Sequence, residues 1–205
     1  ECGAAYRTNG PDHLKCVGET EFVAGRAKLA YGMEKSTKMA GIVAHADLMH
    51  KRLDEVLESH ETAGNGLFKG IRHSGAHDAK PEELSIRGSG LPNQFKRHDF
   101  RKGVARLGEL GLSYDTWIFH HQIADFRDLA VAVPSTTMIL DHFGTPLGVG
   151  QYKEKKEEIF ETWKEDIEAI SSCNNVFLKL GGMAMPDNGY GWETEDKPPN
   201  SDEFV

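Results

Sequence analysis

Two apolar runs, Trp117-Ile118-Phe119-His120 and Met138-Ile139-Leu140-Asp141-His142, each end in a histidine and then break into a loop. A histidine at the carboxyl end of a buried strand stands where a barrel of alternating strands and helices keeps its chemistry. One such strand is weak evidence, because core histidines are common. Two in succession, separated by a single helix-length crossover, mark a candidate active site.

The rest of the chain repeats the alternation. Ala40-Gly41-Ile42-Val43-Ala44 reads as a short strand ending at His45, followed by a helix with Leu53, Val56, Leu57 and His60 on one face. Leu67–His73 is a second strand, weakened by Gly70. Residues 74–97 are polar and rich in Gly and Pro, and a loop of that length is usually functional. A helix follows from about Asp99 to Leu110, with Phe100, Val104 and Leu107 as its stripe and Gly111 as its stop. Then come a strand at Ser113–His120, a helix near Ala124–Val133 and a strand at Thr136–His142. Glu154–Ser171 is the clearest helix, with Ile159, Phe160, Trp163, Ile167 and Ile170 at helical spacing. Asn175–Gly181 is a further strand, Glu1–Ala5 is read as another, and Pro11–Gly32 carries the helix after it.

This order predicts an α/β fold with a parallel sheet. An open doubly wound sheet would gather its site at one switch point. Here His45, Arg72, His73, His120, His142 and Lys179 recur at the same end of strand after strand, which favours a (β/α)8 TIM barrel. About six strand–helix units are countable and a closed barrel needs eight. Both ends look cut inside structure, since Ser201-Asp202-Glu203 reads as a helix opening with a Ser cap. The expectation is a single barrel domain over residues 1–205, truncated at both ends, with strands one and eight missing.

Composition narrows the function. The 205 residues are 39% hydrophobic and 27% charged, as in a soluble globular protein. A formal charge of −8 argues against nucleic-acid binding, which needs a basic face. No apolar run is long enough to span a membrane. Cys2, Cys16 and Cys173 form no C-x-x-C pair and read as reduced thiols of a cytoplasmic protein. The partner expected is a small-molecule substrate, with homo-oligomerisation left open.

The strand period assigns faces. His142 shares its face with Leu140 and Met138, so Asp141 points toward the helices and is not assumed to orient its neighbour. His120 shares a face with Ile118 and Thr116, while His121 points away or lies in the loop. Lys179 either binds a substrate carboxylate or snorkels to the rim. Arg72-His73 offers a planar donor fork for a carboxylate or oxyanion, or else forms a rim salt bridge. Gln122 joins Arg72, His73 and Lys179 as a substrate-binding candidate. His45 and His77 are weaker candidates, and His13, His50, His60 and His98 read as solvated helix or turn residues. Gly144-x-x-x-Gly148-x-Gly150 lacks the Gly-Lys-Ser/Thr ending of a phosphate loop and reads as a tight turn that lets a substrate approach the backbone.

Several stretches together resemble the amidohydrolase-related proteins of the amidohydrolase superfamily, in the branch of sugar lactonases and pyrone-dicarboxylate lactonase. They are Glu1–Arg7, Val17–Val23, Gly41–Leu48, Gly70–Ser74, Leu140–Gly144 and Lys179–Met183, in family order along nearly the whole chain. The resemblance implies hydrolysis of a lactone or related cyclic ester by activated water. His120 and His142 match the histidines of the family's fifth and sixth strands, and would be catalytic. Arg72 and Lys179 fall on its fourth and seventh. If a divalent ion such as zinc is used, His120 and His142 are its visible ligands; the lactonase-like branch often works without one. The family's His-x-His pair and general-base aspartate have no counterpart here, so this stretch alone is expected to be an incomplete catalyst. The alternatives are a metal-dependent decarboxylase of the same superfamily and a non-catalytic barrel fragment.

Overall fold

A computed structural model describes residues 3–204. Five strands form one sheet in sequence order: β1 (Ile42–Ala44), β2 (Phe68–Arg72), β3 (Ser113–Thr116), β4 (Met138–Leu140) and β5 (Val176–Leu178). Helices α1 (Val17–Tyr31), α2 (Leu53–Gly64), α3 (His98–Glu109), α4 (Ile123–Ala132) and α5 (Lys156–Ile170) alternate with them. The order is that of an incomplete (β/α)8 barrel, in which each strand pairs with the next after a helical crossover. No helix among the described residues is long and apolar enough to cross a membrane.

The chain divides into two compact units. The first comprises Glu1–His73, Lys96–Asp115 and Ala132–Met138. Here β1 and β2 pair in parallel with Ile42 opposite Phe68, and β2 and β3 with Gly70 opposite Ser113. Gly70 weakened the strand in sequence, yet a side chain there would collide with Ser113 Oγ and backbone, so glycine is what lets β3 close on β2. Helix α2 buries Leu53, Val56, Leu57, His60 and Gly64, one face at the spacing the sequence predicted. Helix α3 buries Phe100, Gly103, Val104 and Leu107, and Gly111 follows it with φ +69°.

The second unit comprises Ser74–Phe95, Thr116–Val131 and Ile139–Val205. Its apolar centre includes Ala76, Leu84, Trp117, Phe119 and Leu147, with Val149, Tyr152 and Met185 packed against it. Helix α4 adds Ile123, Phe126 and Leu129, all fully buried.

Four expectations need correction. The strand at Glu1–Ala5 is not formed at Gly3–Ala5, where Ala5 takes φ 57°; Glu1 and Cys2 lie outside the described residues. The strands are shorter than read: β3 stops at Thr116, so His120 sits on a 3-10 turn (His120–Gln122) rather than on a strand. Helix α5 buries only Ile159 and Ile170 of its stripe, and Phe160 is 53% exposed. His60, read as solvated, is fully buried. Cys16 and Cys173 are both thiols rather than disulfides, and Cys2 is not described.

Candidate active site

The second unit carries the two strand-end histidines on adjoining loops. Beyond Thr116 the chain runs extended through buried Trp117, Ile118 and Phe119 to His120, itself buried. Beyond β4 the backbone turns the other way. His142, Phe143, Gly144 and Thr145 all have positive φ, at 55°, 55°, 67° and 42°. Gly144 N–H donates to Asp141 C=O and Thr145 N–H to His142 C=O, which makes a left-handed turn of mostly non-glycine residues. Such a backbone persists only where its surroundings over-determine it, and it is typical of functional sites.

What holds this turn is the loop of the other histidine. Trp117 Nε1 donates to Thr145 Oγ1 at 2.7 Å, and His120 N–H donates to Thr145 C=O at 3.2 Å. Leu147 N–H donates to His120 Nδ1 at 3.3 Å. Trp163 Nε1 secures Phe143 C=O at 2.6 Å. The sequence expectation that the two histidines stand at neighbouring strand ends thus has a mechanical counterpart: four hydrogen bonds, three of them joining the two loops.

Burial, reinforced by the neighbouring His121, pushes the His120 imidazole down to a pKa of about 4, so it is neutral at physiological pH. Its Nδ1 accepts from Leu147, which places the ring proton on Nε2 as a donor. His142 packs against Gly182: a Cβ there would lie 2.7 Å from His142 Cβ and Nδ1. This is the physical reason for glycine at position 182, whereas the same position at Gly181 is open.

Lys179 and Asp141 solve each other's problem. Asp141 is buried beside Lys179, whose Nζ lies 2.9 Å from its Oδ1. Lys179 therefore has a protein carboxylate as partner, an outcome between the substrate contact and the rim position considered from sequence. Gln122 is a brace between loop segments. Its Oε1 accepts from His77 N–H (3.0 Å) and Phe119 N–H (3.2 Å), and its Nε2 donates to Gly75 C=O (2.8 Å). The glycine-rich stretch is likewise used internally: Gly148 N–H donates to Asp187 C=O, and a side chain at Gly148 would strike Asn188 C=O. The close backbone approach at Gly148 is to the chain itself.

Arg72 and His73 belong to the first unit. Arg72 ends β2 opposite Asp115, and its carbonyl accepts from His45 Nδ1 at 3.0 Å. His73 uses Nδ1 to accept from Leu48 N–H at 3.2 Å, and its ring meets those of His45 and Phe100 edge-on.

One constellation escaped the sequence reading. Asp78, buried in the long loop, is 3.0 Å from His121 Nε2 and 2.6 Å from the Tyr152 hydroxyl. The strand period leaves His121 either pointing away or lying in the loop, and it lies in the loop, on the turn His120–Gln122. The available signal was the doubled histidine at a strand end together with a carboxylate in an unusually long loop.

A metal centre needs three protein ligands if catalytic and four if structural. Among the described residues no group of three or more His, Cys, Asp or Glu side chains is placed to hold an ion. His120 and His142 alone do not make such a centre.

Alternating strands and helices with polar residues on the loops after the strands define a barrel-type α/β protein. The chain belongs to the amidohydrolase family, whose model matches residues 2–205. It is 26% identical over 202 residues to the uncharacterized protein y4mH of Sinorhizobium fredii, covering 98% of this chain and 61% of that protein. It is 24% identical over 177 residues to an L-fucono-1,5-lactonase of Burkholderia multivorans, covering 83% and 55%. The chain therefore spans about 60% of the length of these curated relatives. A crystal structure of an amidohydrolase from Burkholderia multivorans with bound zinc superposes with a TM-score of 0.58 at 21% identity, over 78% of this chain and 49% of that one. A second crystal form of that protein, with bound HEPES, gives 0.57 at 22% identity, over 78% and 50%. These likenesses establish the fold.

Proposed function

We propose that this chain is part of a hydrolase that opens a lactone or related cyclic ester with water. The observation that carries the reading is the locked pair of histidine loops: a neutral His120 with its Nε2 proton directed away from Leu147, hydrogen-bonded through Thr145 to the strained turn that presents His142. Water adds to the ester carbonyl, and the oxygen gains negative charge. A neutral imidazole N–H held in place beforehand stabilises that charge without reorganising, which is how an oxyanion site lowers a barrier. Collapse expels the ring oxygen, which takes a proton and leaves a hydroxy acid. His120 supplies the N–H donor in this scheme, and His142 is the second contact at the reacting group. Family membership and the likeness to a lactonase support the reaction class.

The test is hydrolysis of a lactone panel by the full-length protein and by His120→Ala and His142→Ala. Loss of a preorganised donor costs about 100-fold or more in kcat. Each variant is expected to lose at least that much while melting cooperatively. Turnover unchanged in both variants would remove the histidines from the reaction. Release of carbon dioxide, with no lactone consumed, would replace hydrolysis by decarboxylation.

A further inference from the structure

Asp78 carries four hydrogen bonds on one buried carboxylate. Its Oδ1 accepts from Lys80 N–H at 2.7 Å and from the Gln151 amide at 3.4 Å. Its Oδ2 accepts from the Tyr152 hydroxyl at 2.6 Å and faces His121 Nε2 at 3.0 Å. The side chain is only 1% exposed. Burial alone would raise its pKa, but the bonds from Tyr152, Lys80 and His121 outweigh burial and hold it below the usual carboxylate range. Tyr152 is pushed the other way, by burial and by Asp78, and stays a protonated donor.

His121 is clamped by this carboxylate and by rings. It stacks on Tyr152 with centroids 6.0 Å apart and planes at 20°, and meets His120 edge-on at 5.3 Å. With the carboxylate on Nε2, the neutral ring keeps its proton there, so Nδ1 presents a lone pair. Nδ1 takes no hydrogen bond from any described residue, and the side chain is 34% exposed. A hydrogen-bond acceptor is thus held in a fixed orientation on a partly exposed ring, stacked on the half-buried Tyr152.

We propose that His121, held by Asp78 and Tyr152, is a recognition subsite that accepts a hydrogen bond from a ligand hydroxyl group. The chemistry selects its ligand. A hydroxyl has a hydrogen to give to a lone pair. An ionised carboxylate has none, and any anion would also face the negative charge of Asp78 behind the ring. The ligand class is therefore a neutral, hydroxyl-bearing ring. The proposed lactone reaction supplies the ring, and the half-buried Tyr152 stacked on His121 is the aromatic neighbour it would meet. Asp78 acts through His121 and is a positioning residue. Within the lactone reading this would distinguish hydroxylated rings from bare or anionic ones; the contact itself does not depend on hydrolysis.

The test separates the two. Nitrogen-15 NMR of the full chain, histidine-labelled and assigned with His121→Leu, reads the tautomer and its response to two ring ethers. One probe is 1,5-anhydro-D-glucitol, which bears hydroxyls and no ester; the other is tetrahydropyran, the same ring without them. In the neutral state Nδ1 is expected to be unprotonated, to shift with the polyol and to ignore tetrahydropyran. His121→Leu should weaken polyol binding about tenfold or more, since a site built for a hydroxyl discriminates strongly. In Asp78→Asn the Lys80 N–H keeps the amide oxygen, so the amide NH2 faces His121 and the ring proton moves to Nδ1. That tautomer switch is one a merely structural Asp78 would not produce. A proton on Nδ1 in the neutral wild-type ring, or equal responses to both probes, would overturn the proposal. Failure to hydrolyse any lactone would overturn the proposed reaction and leave this binding result standing.

Discussion

The Lys179 ammonium lies 2.9 Å from the buried Asp141 carboxylate, joining the residue just past β5 to the residue just past β4. The lysine is 49% exposed and the aspartate 1%. Water screens the attraction from the lysine side, so the pair itself contributes little. Removing the lysine is a different matter, because the carboxylate stays buried without its cation. Lys179→Met is expected to lower unfolding free energy by about 2 kcal/mol in urea titrations, and Lys179→Arg by much less. A Met variant as stable as the wild type would show that Lys179 is not the counter-ion of Asp141 in solution.

His60 ties three elements of the first unit together. Its Nε2–H donates to His45 C=O at 2.9 Å, and its Nδ1 accepts from the Thr20 hydroxyl at 2.8 Å. Burial pushes its pKa down to about 4, against an ordinary value of 6.5. The unfolded chain therefore binds a proton more readily than the folded one between those values, and stability falls as pH drops through that window. The contribution is fully present above about pH 6.5 and is on the order of 3 kcal/mol. Urea midpoints measured from pH 7.5 to pH 4.5 should fall steeply in the wild type and less steeply in His60→Gln. Parallel curves would assign the acid sensitivity to other groups, of which His120 is the next candidate.

These two sites show what the sequence could and could not reveal. The helix period put His60 on the apolar face with Leu53, Val56 and Leu57, so its burial was legible; it was misjudged because histidine is usually solvated. The alternation of strands and helices was legible, and with it the successive loops that carry His120 and His142, because periodicity is a local property. Strand lengths were not, since the ladder ends at Thr116 while the apolar run continues to Phe119. The pairing of Asp78 with His121 and Tyr152 joins residues 43 and 74 positions apart, across loops with no period of their own. Nothing local encodes such a contact. Asp141 shows a related limit: strand alternation fixes which side of the pleat it leaves from, but not that the lysine just past β5 reaches it.

Thr145 is the joint between the two histidine loops. Its side chain is buried and its hydroxyl accepts the Trp117 indole N–H. Thr145→Ala leaves that buried donor unsatisfied, which costs about 1–3 kcal/mol. Thr145→Ser keeps the acceptor and removes a β-branched residue from φ 42°, so it should match or exceed the wild type. Thermal melts of the two variants decide the point, with the Trp117 fluorescence reporting the indole environment directly. Equal losses in Ala and Ser would move the stabilisation from the hydrogen bond to the methyl group.

Gly182 bears directly on the second histidine. It has φ +82°, and a Cβ there would press on His142 Cβ and Nδ1 at 2.7 Å, while Gly181 has nothing within 4 Å of the same position. Adjacent glycines thus make opposite predictions. Gly181→Ala should change stability by less than about 0.5 kcal/mol. Gly182→Ala should cost about 1–3 kcal/mol, from the left-handed backbone and the clash together. The easiest relief is rotation of the His142 ring, because the turn that carries it is fixed at Phe143 and Thr145 by indole donors. If His142 contacts the reacting ester, Gly182→Ala measured well below its melting point will lose kcat far out of proportion to its loss of stability. A variant that loses stability but keeps full turnover would mean that the ring can move without consequence, and His142 would then be a structural residue of the turn.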